Sequence, residues 1–223
     1  MIALTGFRVA AYLRSHRVFQ ALLPILALLG ILHASRAPRG EEAAALTDAA
    51  VLIIPFLAWA ARSLLDTEPD DQRVISATSV GGHGREVGAG LLAALSVTLV
   101  FSALTLASSL FLGLEALPDA PVLTAAIILH VLAALAGVAL GALTSRPILP
   151  SPALSIMALV LGFLAMLLLS ATPAYWLTIP VTAWMKSAGH GALTADLPLL
   201  AAVSLAWCLA GLAGYVRLRR TRP

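Results

Sequence analysis

Residues 122–143 read VLTAAIILHVLAALAGVALGAL, with one ionisable side chain, His130, and no proline. A bilayer core of about 30 Å is crossed by about 20 apolar residues in a helix. This run is apolar around its whole circumference, where a helix of a soluble protein would keep one polar side. It is also too continuous for the alternating ten-residue strands of a membrane barrel. Five further stretches have the same character: 18–34, 49–65, 87–114, 152–169 and 197–216. The expected fold is an all-α membrane protein with six transmembrane helices.

Composition agrees. Of 223 residues, 60% are hydrophobic and 11% charged, with a mean hydropathy of +0.96. Soluble domains run at about 45–50% apolar and about 25% charged. So few charges cannot cover the surface of a water-soluble globule of this size. The composition excludes an ordinary cytosolic enzyme, a disordered chain and a nucleic-acid-binding module. The single cysteine, Cys208, permits no internal disulfide and tells nothing of redox compartment.

The arginines orient the chain. With the N-terminus inside, the inner segments carry Arg8, Arg14, Arg17, Arg62, Arg73, Arg85, Arg146, Arg217, Arg219, Arg220 and Arg222. The outer segments carry Arg36, Arg39 and Lys186, beside Glu41, Glu42, Asp48, Glu115, Asp119 and Asp196. Eleven basic residues against three is the bias that places a face in the cytoplasm, so both termini are expected there. The leader 1–17 is too long for a signal-peptide n-region, and five more spans follow, so it is expected to remain uncleaved. Its Thr5, Arg8, Tyr12, Ser15 and His16 share one arc at 100° per residue, opposite Leu4, Phe7, Ala10 and Ala11, as in an interfacial helix.

Two connections hold most of the polar residues. The inner one, 66–86, has Pro69 at a helix start followed by Asp70 and Asp71 at the positive end, and Gly81-Gly82 to stop the helix. A short charged helix is expected there, either a docking element for a cytosolic partner or a solvated connector. Asp70-Asp71 lacks a second acidic cluster to complete a divalent-ion site. Gly81-Gly82-His83-Gly84-Arg85 is no Walker A loop, because Lys186 stands alone in the chain after Met185. The outer connection, 170–196, carries Tyr175, Trp176 and Trp184 with breaks at Pro173 and Pro180. Aromatics of this kind favour the membrane–water boundary. Helical fragments in the outer leaflet and an ordinary aromatic loop fit that pattern equally.

Within the spans, His130 has no acidic partner and is expected to be a packed neutral histidine rather than a proton relay. Thr98, Ser102, Thr105 and Ser109 form a hydroxyl stripe, and Gly137 with Gly141 forms a GxxxG pair; both point to close helix packing. No HExxH, metal cluster or catalytic triad is present in the sequence.

Taken in order, the leading helix, six spans with both ends inside, the helix at about 69–79 and the broken outer segment after the fifth span resemble the permease subunits of type-2 ABC exporters. The resemblance covers nearly all of the chain and is architectural, because that family has little invariant sequence. It departs in size: the outer loop after the first span leaves no room for an extracellular domain. The resemblance implies one transmembrane domain, 1–223, comprising the interfacial helix 1–17, a coupling segment 66–86 and a broken outer segment 170–196. It implies a non-catalytic transport subunit in a bacterial cytoplasmic membrane. Its partners would be a separate cytosolic ATPase that binds ATP and magnesium, a second copy or sister chain, and membrane lipid. This chain would hold no cofactor and no nucleic acid. Contact with the ATPase would fall to Asp70, Asp71 and Arg73, with Arg85 and Glu86 behind, and Tyr175, Trp176, Pro180 and Trp184 would shape the outer segment. The rival expectation is a six-helix membrane enzyme or accessory protein without an ATPase. A small secondary transporter is disfavoured by the lack of carboxylates inside the spans.

Overall fold

The computed structural model describes residues 1–221, apart from the side chain of Asp70; Arg222 of the arginine tail lies outside it. The described residues form nine α-helices: α1 (Ile2–Arg14), α2 (Val18–Leu32), α3 (Glu42–Leu65), α4 (Asp70–Ser79), α5 (His83–Ser108), α6 (Ala120–Leu143), α7 (Pro152–Ser170), α8 (Val181–Gly189) and α9 (Leu193–Thr221). Five of them, α3, α5, α6, α7 and α9, are long and apolar enough to cross a membrane. A sixth span results if α1 and α2, bent by 70° at Ser15–Arg17, count as one. The third span continues beyond Ser108 as a π-helical turn, Ser109–Gly113.

Helix α3 is the centre of the bundle and packs most extensively on α6. The reason lies in the glycine pair of α6. A Cβ on Gly137 would stand 2.6 Å from the Leu57 Cβ, and one on Gly141 would run into the Ala58 carbonyl. Only glycine lets the two backbones approach this closely, and van der Waals contact supplies the attraction that hydrophobicity cannot supply inside lipid. Around that seam Ile53, Ile54, Leu57 and Leu129 are fully buried. The hydroxyl stripe of α5 faces the same interior. Thr98 and Thr105 bond back to Ala94 and Phe101 carbonyls, and the Ser102 hydroxyl donates across to the His130 carbonyl at 2.7 Å.

The ends of the bundle are distinct. At one, α1, the C-termini of α3, α6 and α9 and the N-termini of α5 and α7 meet around arginines. Arg8, near the start of the chain, and Arg219, near its end, both bind Glu86. At the other, the α2–α3 and α5–α6 connections pair through Ala37, which donates to the Gly113 carbonyl at 2.8 Å and accepts from Glu115 at 3.1 Å. Helix α2 runs between them, from Arg17, which donates to the Asp66 carbonyl at 2.9 Å, to His33 beside Ser108 and Ser109.

Candidate functional site

The arginine-rich end holds a buried ionic network that the sequence does not announce. Helix α1 turns its polar arc inward: Arg8 and Tyr12 are buried, while Phe7 and Leu13 are exposed. The Arg8 guanidinium donates through Nε to Glu68 at 2.9 Å, through Nη1 to the Glu86 carbonyl at 2.9 Å, and through Nη2 to both the Glu86 carboxylate at 2.5 Å and Glu68. Arg219 reaches the other oxygen of Glu86 at 3.0 Å. The Ser76 hydroxyl of α4 donates to the free oxygen of Glu68. Gly90 makes the approach possible, because a Cβ there would stand 2.7 Å from the Arg8 Nη1.

Two arginines and two glutamates cancel in charge, and each is about nine-tenths buried. Burial of so many charges is tolerable because each is ion-paired, although the Arg219 Nε has no hydrogen-bond partner among the described residues. Burial pulls the Arg8 guanidinium down, but Glu86 and Glu68 together outweigh it and hold its pKa above the ordinary value. The net effect is a clamp that ties α1, the α3–α4 connection, α4, α5 and α9 together.

Beside it, Asp66 forms a second knot. Its carboxylate accepts from the Arg146 N–H at 2.7 Å and lies 3.7 Å from Arg62. Arg62 also donates to Ser155 at 2.5 Å, and the Ser155 hydroxyl bonds the Thr144 carbonyl at the end of α6. Burial lifts the Asp66 pKa above its ordinary 3.8, against the lowering by the Arg146 N–H and by Arg62, Arg73 and Arg17.

The residues expected to meet a partner are divided by the fold. Asp71 on α4 and Arg85 on α5 are exposed. Arg73 is buried and donates to the Leu65 carbonyl at 2.6 Å, and Glu86 sits inside the clamp. The Asp70 side chain is outside the described structure. The exposed side of α4 instead presents two apolar residues, Val74 at 66% and Ile75 at 68% exposure. The sequence marks Arg8 as part of the polar arc of the leading helix and Arg219 as one of the inner arginines, but it gives no sign that they pair with Glu68 and Glu86 or that Ser76 joins them.

Beneath α4 lies a cavity of about 1070 Å³, walled by α4, the start of α5, the α6–α7 connection and the end of α9. Arg73, His83, Arg146 and Arg219 line it together with prolines and small apolar side chains.

At the opposite end, the outer segment is broken into a single 3-10 turn, Tyr175–Leu177, and α8, which begins after Pro180. Ser170 caps α8 by accepting from the Thr182 N–H at 2.8 Å. Trp184 is fully buried and Pro180 is buried, Tyr175 is half-buried, and Trp176 is exposed with its carbonyl accepting from Trp207 at 2.8 Å. His130 is buried, and its Nδ1 donates to the Ala126 carbonyl at 2.9 Å. Its Nε2, like the Trp184 Nε1 and the Tyr12 hydroxyl, has no hydrogen-bond partner among the described residues. Among those residues no cluster of three or more His, Cys, Asp or Glu could hold a metal ion. Compared with protein-family models, curated proteins and solved structures, the chain matches none.

Proposed function

We propose that this chain is the membrane-spanning subunit of an ATP-driven exporter of the type-2 ABC kind, with six crossings and both termini in the cytoplasm of a bacterium. A separate cytosolic ATPase binds ATP and magnesium, and a second copy or sister chain completes the pathway. The observation that carries this reading is α4: a short helix at the arginine-rich end, outside the spans, with Asp71, Val74 and Ile75 turned to solvent. A solvated connector has no need to expose two β-branched apolar residues side by side, whereas a docking helix does.

The clamp gives that helix a mechanical role. Force applied to α4 by an ATPase passes from Ser76 to Glu68, from Glu68 to Arg8 on α1, and through Glu86 to α5 and Arg219 on α9. The linkage is made of charged hydrogen bonds, so α4 moves with the spans as a rigid body. A mostly apolar bundle favours a hydrophobic or amphipathic cargo.

Co-purification tests the reading. The tagged chain is expected to retain a Walker-type ATPase, and Ile75→Glu to reduce its recovery at least about tenfold while leaving the fold intact, since Ile75 is exposed. Absence of any ATPase with the wild-type chain would overturn the proposal.

A further inference from the structure

The cavity beneath α4 is built like a receptor for a lipid headgroup. Its walls are helix ends at the arginine-rich face: the last turn of α9, the first of α5, and Pro147 and Pro152 around the start of α7. It therefore opens at the level where the bundle passes from membrane to water. Arg73, His83, Arg146 and Arg219 line it from four different segments, and no acidic residue is among its described lining residues. Arg219 is paired with Glu86, Arg73 donates to the Leu65 carbonyl and the His83 Nε2 lies 3.1 Å from the Arg219 carbonyl, so these groups add positive potential at the wall while holding partners of their own. Between them the lining is mostly apolar, with Ala77, Pro147, Pro150 and Pro152, and with Val74 at the open edge, where it is also exposed. Helix α5 begins at this wall with Gly82 as its N-cap, at φ 130°, and no side chain capping the first amides. Arginines and a helix N-terminus offered to one space favour a compact anion. Basic pockets between membrane helices on the cytoplasmic side accept anionic lipid headgroups for this reason.

From this geometry we propose that the cavity binds the headgroup of an anionic phospholipid of the inner leaflet. Volume and surroundings select a lipid over a free anion. At about 1070 Å³ the space far exceeds a phosphate and accommodates a glycerol backbone with the first acyl carbons. Helix α7 leaves its rim at Pro152 and exposes Leu154, Met157 and Leu161 over the first turns, so acyl chains leaving the cavity meet apolar surface. Occupied, the site braces α4 against the α6–α7 connection, which the Arg8–Glu68–Glu86–Arg219 clamp does not reach. The site requires the arginine-rich end to face an anionic leaflet and does not require an ATPase.

The test uses the full chain, purified in neutral detergent and stripped of lipid. Dioctanoyl phosphatidylglycerol is expected to raise the unfolding temperature and to remain bound in native mass spectrometry, and dioctanoyl phosphatidylcholine to do neither. Glycerol 3-phosphate alone is expected to bind at least about a hundredfold more weakly, because it forfeits the apolar wall. Arg146→Gln should weaken the phosphatidylglycerol about tenfold, and Ala77→Trp, which fills the cavity from a half-buried lining position away from the exposed Asp71 and Ile75, should abolish the shift. Equal binding of the two lipids, equal binding of glycerol 3-phosphate, or an unchanged affinity in both variants would overturn the site. So would loss of ATPase co-purification in Arg146→Gln with lipid binding intact, since the cavity would then be the partner's seat. Lipid binding without any ATPase leaves this site standing and removes the exporter reading alone.

Discussion

At the scale of single residues, Glu86 decides most. It neutralises Arg8 from one oxygen and Arg219 from the other. Glu86→Gln keeps the shape and removes the charge, leaving two buried guanidiniums with Glu68 alone. Breaking a buried ionic group in this way costs about 3–5 kcal/mol. The variant is expected to unfold at markedly lower temperature in detergent, and a midpoint unchanged from wild type would show the clamp to be dispensable. Asp66 gives the opposite sign. Its folded pKa is raised, so the unfolded chain ionises first as pH rises from 3.8, and wild type loses stability until the folded pKa is passed. Asp66→Asn, which retains the acceptor for the Arg146 N–H, is expected to match wild type below pH 3.8 and exceed it at neutral pH. A neutral-pH loss instead would mean that the Arg62 pair outweighs desolvation. Neither residue could be understood from its neighbours in sequence. Glu68 stands between Thr67 and Pro69 as if in a solvated linker, and its partner Arg8 is 60 residues away. Long-range pairing is what local pattern cannot reveal, so the exposed Asp71 and Arg85 and the buried Arg73 and Glu86 looked alike.

At the scale of elements, the pattern says more. Apolar length identified the long helices, because in lipid the backbone must satisfy itself and a helix is the local solution. Pro69 marked the start of α4, whose first residue follows it, and Gly81 and Gly82, both at positive φ, follow its end. The GxxxG pair marked a close contact but not its partner, which is α3. Gly141→Ala forces the new methyl group into the Ala58 carbonyl, so α3 and α6 must separate along the seam on which the bundle is built. A cost of about 1–3 kcal/mol is expected from such overpacking, with Gly141→Leu preventing folding, as fluorescence-detected size exclusion would report. Gly30, with nothing within 4 Å of its Cβ position, should accept alanine without loss, which makes it the control. The π turn Ser109–Gly113 had no sequence signal. It is set by tertiary contact: His33 lies beside Ser108 and Ser109, and a Cβ at Gly113 would stand 2.7 Å from its ring.

At the scale of the whole molecule, the number of crossings turns on α2. Fifteen residues at about 1.5 Å each give about 22 Å, short of a bilayer core of about 30 Å. Yet both ends of α2 are anchored at opposite ends of the bundle, Arg17 to the Asp66 carbonyl and His33 to the serines before the π turn. A short span is accommodated by local thinning and by snorkelling of flanking side chains, and Arg17 and Arg36 are placed for that. On the proposed six crossings, residues 15, 79 and 221 lie on one side and 35, 117 and 190 on the other. The chain is suited to the test, because its one cysteine, Cys208, is fully buried and can be replaced to leave a cysteine-free background. Single cysteines at exposed positions are then probed with a membrane-impermeant maleimide on intact spheroplasts. Ser35→Cys, Leu117→Cys and His190→Cys are expected to label from outside, and Ser15→Cys, Ser79→Cys and Thr221→Cys only after lysis. The decisive position is residue 15, because residue 35 lies just before α3 and beside the α5–α6 connection and labels with Leu117→Cys whether or not α2 crosses. If Ser15→Cys labels from outside together with Leu117→Cys and His190→Cys, α2 fails to cross, five spans remain, and the proposed gathering of both termini on the cytoplasmic face is overturned.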